Sequence, residues 1–127
     1  MDIGEFENML SDLADELPEY IFEGLNGGIV ISEKEKQNTA SKDGNLYIMG
    51  EYHNDCIMGR FIVIYYGSFE KLYVGCDKAV IREKAREVLR HEFEHHAEGL
   101  AGERGLMDKD EQWIREYLAA HADKNNE

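Results

Sequence analysis

Basic side chains are scarce in this chain. Lys and Arg number 14 against 27 Asp and Glu, giving a formal net charge of -13. Nucleic acid and anionic membranes both need basic surfaces, so neither is expected as a partner. Long apolar runs are also missing. None approaches the ~18 residues that span a bilayer. The opening Met1-Asp2-Ile3-Gly4-Glu5 is acidic and lacks the apolar h-region of a secretory signal. Cysteine is limited to Cys56 and Cys76, far apart and without C-x-x-C spacing. That spacing gives no support to a cysteine metal site, and the expected location is a reducing cytoplasm. Internal repeats and low-complexity stretches are absent as well.

What is present suits one compact domain. The 127 residues are 43% hydrophobic and 32% charged, an ordinary globular mix at a length that buries a core without disulfides. Residues 1–121 read as a single domain and residues 122–127 as a frayed tail. Phe6, Met9, Leu10, Leu13 and Leu17 recur at three- and four-residue steps, one apolar face of a helix. The single proline, Pro18, ends that helix and suits the start of a short second one carrying Tyr20, Ile21, Phe22 and Leu25. Asn26-Gly27-Gly28 is a break, and Ile29-Val30-Ile31 a short buried strand. Residues 33–44 are polar and read as a mobile surface loop. Residues 46–52 and 60–66 predict an antiparallel hairpin, with His53-Asn54-Asp55-Cys56 as its turn. Residues 61–66 are apolar on both alternating faces, which suits a strand covered on both sides. Gly67 closes that strand, and Ser68 caps a short helix to about Tyr73. Asp77 predicts the N-cap of the main helix, which runs to about Glu98 before Gly99, Gly102 and Gly105 stop it. A last helix carries Trp113, Ile114, Tyr117 and Leu118.

The main helix holds the chemistry. His91-Glu92-Phe93-Glu94-His95 reads H-E-x-x-H. Helical residues four apart lie about 40° from each other around the axis, so both imidazoles can reach one ion. Two His ligands with a neighbouring Glu is the zinc-peptidase pattern: the metal lowers the pKa of a water, and the Glu takes its proton. Leu89, Phe93, Ala97 and Leu100 share the opposite face. The helix thus has a core to anchor it and a polar face for chemistry. The competing reading is that both His are ordinary solvent-facing residues. Catalytic zinc usually has a third protein ligand. Glu98 lies roughly 20° from His91 in projection and one turn beyond His95. It is expected to be the acidic residue nearest the metal, ahead of Glu103, Asp108 and Asp110 past the glycines. His96 projects roughly 100° from His95 and reads as a packing or hydrogen-bonding residue. His53 and His121 read as incidental. Tyr65 and Tyr66 are candidates to hydrogen-bond a substrate carbonyl, with core packing as the plainer alternative.

The order of helix, Leu17-Pro18-Glu19, strand, aromatic hairpin over residues 60–69, and then Arg90-His91-Glu92-Phe93-Glu94-His95-His96 resembles the minimal zincin-like metallopeptidase family of small bacterial proteins. The resemblance covers about residues 6–118. It implies a bacterial, soluble, zinc-dependent hydrolase, with His91 and His95 as ligands and Glu92 as general base. Family members often continue the motif as H-E-x-x-H-x-x-G-x-x-D. Here Glu98 stands at the Gly position and Ala101 at the Asp position.

The expected protein is therefore an α+β domain, with a small, mostly antiparallel sheet packed against the motif helix in a zincin-like core. The expected activity is a zinc-dependent metallopeptidase acting on peptide or protein. Zn²⁺ would sit on His91, His95 and Glu98, and strand addition at a sheet edge would hold the substrate. The alternatives are a metal-binding pseudoenzyme that holds peptide without cleaving it and a metal-free interaction domain.

Overall fold

The computed structural model describes residues 1–37 and 47–104, the last two by their backbone alone. The chain forms α1 (Ile3–Asp15), a 3₁₀ turn (Glu19–Phe22), β1 (Gly28–Ser32), β2 (Gly50–Asp55), β3 (Gly59–Tyr65), α2 (Tyr66–Leu72) and α3 (Lys78–Arg104). This is a small α+β fold. Most of the expected loop over residues 33–44, the expected last helix, the tail, Asp108, Asp110 and His121 lie outside the described residues.

Helix α1 forms where its apolar face predicts. Phe6, Met9, Leu10 and Leu13 are buried, and Leu17 packs on the same core. Its start carries a capping box: the Asp2 carboxylate accepts from the Glu5 N–H at 2.8 Å, and Glu5 reaches back to the Asp2 N–H. Pro18 stands as the N-cap of the 3₁₀ turn.

The strands lie in the order β1-β3-β2. β2 pairs antiparallel with β3, Gly50 opposite Ile64 and Asp55 opposite Gly59. β1 pairs parallel with β3, Gly28 opposite Phe61 and Ser32 opposite Tyr65. The sheet is thus mixed, not mostly antiparallel. Only Cys56, Ile57 and Met58 separate β2 from β3, which forces a hairpin. The residues between β1 and β3 give the length that a parallel pairing needs. The turn also falls later than expected. The Asp55 carboxylate accepts from the N–H groups of Ile57 (2.6 Å) and Met58 (3.1 Å), so His53 and Asn54 remain in the strand. On β3, Arg60, Ile62 and Ile64 are buried, while Phe61, Val63 and Tyr65 are half-buried. Among the described residues, only one face of this strand is fully covered.

Gly67 and Ser68 lie inside α2, not at a strand end and a cap. A Cβ on Gly67 would stand 2.5 Å from the backbone of Lys34 and Glu35, so the chain after β1 crosses the helix in direct contact. The Ser68 hydroxyl accepts from the Lys36 N–H at 2.9 Å. Its hydrogen bond serves that crossing segment instead of the helix end.

Helix α3 starts one residue after Asp77, as expected, but runs through Gly99 and Gly102 to Arg104. A glycine inside a helix costs only about 1 kcal/mol. Here Gly99 has a packing reason, since a Cβ would lie 2.9 Å from Arg60 Nη1. Ala85, Leu89, Phe93 and Ala97 of α3 are buried in one cluster with Ile62 and Ile64 of β3 and the buried face of α1. Phe22 meets Phe93 edge to face at 5.0 Å. The packing of β3 with Leu89 and Phe93 follows the expectation.

Gly67→Ala should destabilise the chain by about 1–3 kcal/mol in urea melts, because the added methyl meets backbone that cannot turn aside. A second outcome concerns Glu16. It receives Arg86 (3.2 Å) and Arg82 (3.0 Å) from α3, and the Arg86 hydrogen bond leads in holding its carboxyl below the usual range. A carboxyl lowered in the folded state contributes stability above its unfolded pKa and loses it as pH falls. Glu16 is half-exposed, so Glu16→Gln should cost less than about 1 kcal/mol at pH 7. The gap to the parent should close below about pH 4.

Candidate metal centre

The rotation of α3 is set by its buried face, and this aims the motif. With Leu89, Phe93 and Ala97 inward, His91 and His95 are exposed on the other side. Their Nε2 atoms are 3.1 Å apart, with the rings nearly perpendicular at 81°. Two nitrogens at ordinary zinc bond lengths in a tetrahedral site are about 3.3–3.4 Å apart. The pair therefore fits two corners of one zinc ion. Each Nδ1 has a carboxylate nearby, Glu94 at 4.0 Å from His91 and Glu98 at 3.8 Å from His95. At those distances the carboxylates attract the rings without a hydrogen bond, and the contact between the two Nε2 atoms is itself a hydrogen bond in which one ring donates to the other.

Glu98 thus approaches the ring nitrogen that does not face the other imidazole. Among the described residues, no group of three His, Cys, Asp or Glu is gathered as a metal would need. The expected set of His91, His95 and Glu98 is brought onto one helix face without being closed around one point.

Glu92 lies between the two His in sequence and is 5% exposed. It has no hydrogen bond among the described residues, although it lines the same cleft. Burial pushes its carboxyl above the usual range, against the pull of His91 and His95. An unpaired buried carboxylate is costly, and one beside an open cleft is placed to accept a proton.

The cleft, about 920 Å³, lies between α3 and β2. β2 approaches the helix closely at two glycines. A Cβ on Gly50 would stand 2.8 Å from Val88 Cγ1, and one on Gly99 3.4 Å from the Tyr52 hydroxyl. Among the described strands, β2 is an edge. The Tyr65 N–H donates to the Met49 carbonyl across the opposed pair. By antiparallel alternation, Glu51 and His53 also bond inward, so the backbone groups of Gly50, Tyr52 and Asn54 point to the open side.

Several residues here were not found in the sequence as site residues. Arg60 Nη1 donates to the Tyr52 hydroxyl at 3.0 Å, and that hydroxyl is 2.9 Å from His96 Nδ1. His96 Nε2 lies 2.7 Å from the Glu23 carbonyl. A carbonyl can only accept, so His96 carries its proton on Nε2, and Nδ1 accepts from Tyr52. His96 is fully buried, and desolvation lowers its pKa. Its expected packing role holds. His53 lines the cleft, stacked on Phe61 at 5.0 Å and 3.3 Å from Glu51. Burial pushes Glu51 up, but hydrogen bonds from Lys36, Tyr65 and His53 hold it below the usual range. Tyr65 donates to Glu51 at 2.5 Å, and the single hydroxyl proton of Tyr66 is shared between the Met1 carbonyl and Glu70. Both hydroxyls are engaged within the protein. The partners of His96 and the Met1 partner of Tyr66 lie more than 40 residues away, and no spacing signal announces them.

No family model and no curated protein matches the chain. Among solved structures, it is similar to a conserved hypothetical protein from Thermo thermophilus. The two share 28% identity and a TM-score of 0.66, over 80% of this chain and 99% of that one. The likeness supports the α+β fold with its long helix.

Tyr52→Phe removes the hydroxyl that joins Arg60 to His96 and takes a hydrogen bond from each of these two buried groups. It should cost about 1–3 kcal/mol in chemical denaturation. The His96 ring signals should also shift in NMR spectra, since Nδ1 loses its donor.

Proposed function

We propose that this chain is a zinc-dependent metallopeptidase with a minimal zincin-like core. The observation that carries the reading is the imidazole pair, 3.1 Å between Nε2 atoms, beside a buried and unpaired Glu92 in a strand-walled cleft. His91 and His95 would hold Zn²⁺, and the bound ion would supply Lewis-acid activation of water and substrate carbonyl. Glu92 accepts the proton of the attacking water and passes it to the leaving amine. Its burial favours the protonated form that the second step needs. Glu98 would serve the site through His95, as the carboxylate beside its Nδ1 at 3.8 Å. An extended peptide pairs with the open edge of β2 through the backbone of Gly50 and Tyr52, which lays its scissile bond along the helix face.

A second reading is a metal-binding domain that holds peptide without cleaving it. The observation favouring it is that no third ligand joins the pair among the described residues. Turnover separates the two readings, and metal content separates both from a metal-free interaction domain.

The untagged chain should bind about one Zn²⁺, and His91→Ala or His95→Ala should weaken it strongly. Glu92→Gln should keep the metal and abolish peptide hydrolysis, because Glu92 is a base and not a ligand. Glu98→Ala should lower zinc affinity by about 10- to 100-fold. Parent-like zinc affinity in both His variants, measured by competition with a chelator, would refute the site.

A further inference from the structure

We propose that the cleft selects cationic peptides, with Glu87 receiving a lysine or arginine side chain of the bound substrate. The proposal rests on the peptidase reading of the same cleft and adds its substrate class.

Four carboxylates line the cleft, those of Glu51, Glu87, Glu92 and Glu98, and no Lys or Arg stands among its described lining residues. Three of the four have work within the site. Glu51 is held by Lys36 at 2.7 Å and Tyr65 at 2.5 Å. Glu98 lies 3.8 Å from His95. Glu92 is 5% exposed, faces the cleft without a hydrogen bond among the described residues, and lies close to both imidazoles. An unpaired carboxylate in that position marks the cleft as built to receive a positive or proton-donating group.

Glu87 differs from these three. Its hydrogen-bonding partner is Lys84 on the same helix, at 3.5 Å and half-exposed, a loose pair that a substrate cation can displace. It lies four residues before His91, one helical turn along the cleft. The next residue, Val88, packs against Gly50, and Ile48 and Met49 continue that apolar wall. Apolar side chains and a carboxylate lining one cleft suit a side chain with a methylene stem and a charged head. The net charge of -13 adds long-range attraction for such peptides and repulsion for acidic ones.

The test uses the full chain carrying Glu92→Gln, so that peptide is bound and not turned over. Fluorescein-labelled alanine hexapeptides carry lysine, norleucine or glutamate walked through each position, and binding is read by anisotropy. Norleucine keeps the stem and removes the charge. At the best position, lysine should bind about fivefold tighter than norleucine in low salt, and glutamate weaker than both. The preference should shrink at high ionic strength. It should vanish in Glu87→Gln and reverse towards glutamate in Glu87→Lys, with thermal melts confirming that both variants fold. Equal binding of lysine and norleucine at every position overturns the proposal. An unchanged preference in Glu87→Gln overturns the role of Glu87. Zinc content, measured on the same protein, keeps the two readings apart. Zinc bound through His91 and His95 with no charge preference leaves the peptidase and removes the cationic site. A Glu87-dependent preference without zinc does the reverse.

Discussion

Everything in this molecule depends on the rotational setting of α3. The helix buries Ala85, Leu89, Phe93 and Ala97 in the main cluster and presents His91 and His95 on the opposite side. Successive helical residues differ by about 100°, so a slip of one residue would carry both imidazoles out of the cleft. Large rings resist that slip. Phe93 is fully buried and locked edge-on by Phe22. The same packing that makes the core thus aims the two imidazoles, and side chains held on one rigid helix keep their geometry better than those on loops.

The second wall of the cleft is set independently of α3's own sequence pattern. β2 is fixed by its pairing with β3, and β3 by the burial of Ile62 and Ile64. Gly50 and Gly99 then let strand and helix approach without a clash. Beside them, the chain from Arg60 through Tyr52 to His96 and the Glu23 carbonyl ties β3, β2, α3 and the segment after the 3₁₀ turn together. Buried polar groups are stabilising only when each has its partner, and every link of this chain supplies one. The doubled His95-His96 shows how one sequence step divides two roles: about 100° of rotation sends the first ring to the cleft and the second to the core.

The cleft's chemistry is a balance of charges of one sign. Carboxylates near His91, His95 and Lys36 have local cationic or protonatable company, whereas Glu87 depends on a loose neighbour. Beside His91 and His95, burial holds the carboxyl of Glu92 above the usual range.

Local pattern made much of this legible in the amino-acid order alone. The faces of α1 and α3, the strand over residues 60–65 and the break at Pro18 follow from periodicity and backbone stereochemistry, which act over a few residues. His91, Glu92 and His95 are legible for the same reason, since four-residue spacing on a helix is itself a geometry. The parallel pairing of β1, the passage of α3 through Gly99 and the placing of Ser68 inside α2 were not legible. Each is decided by a partner about 30 or more residues away: β3 for β1, Arg60 for Gly99 and Lys36 for Ser68. Glu98 shows the limit most clearly. Its projection puts it on the His91 and His95 face, but side-chain rotamers bring its carboxylate to His95 Nδ1. The sequence by itself determined which helix face carries His91 and His95, because helical periodicity is local. The tertiary structure alone decided that an edge strand and a buried Tyr52 face it, because those contacts arise only when distant segments compete for the same buried space.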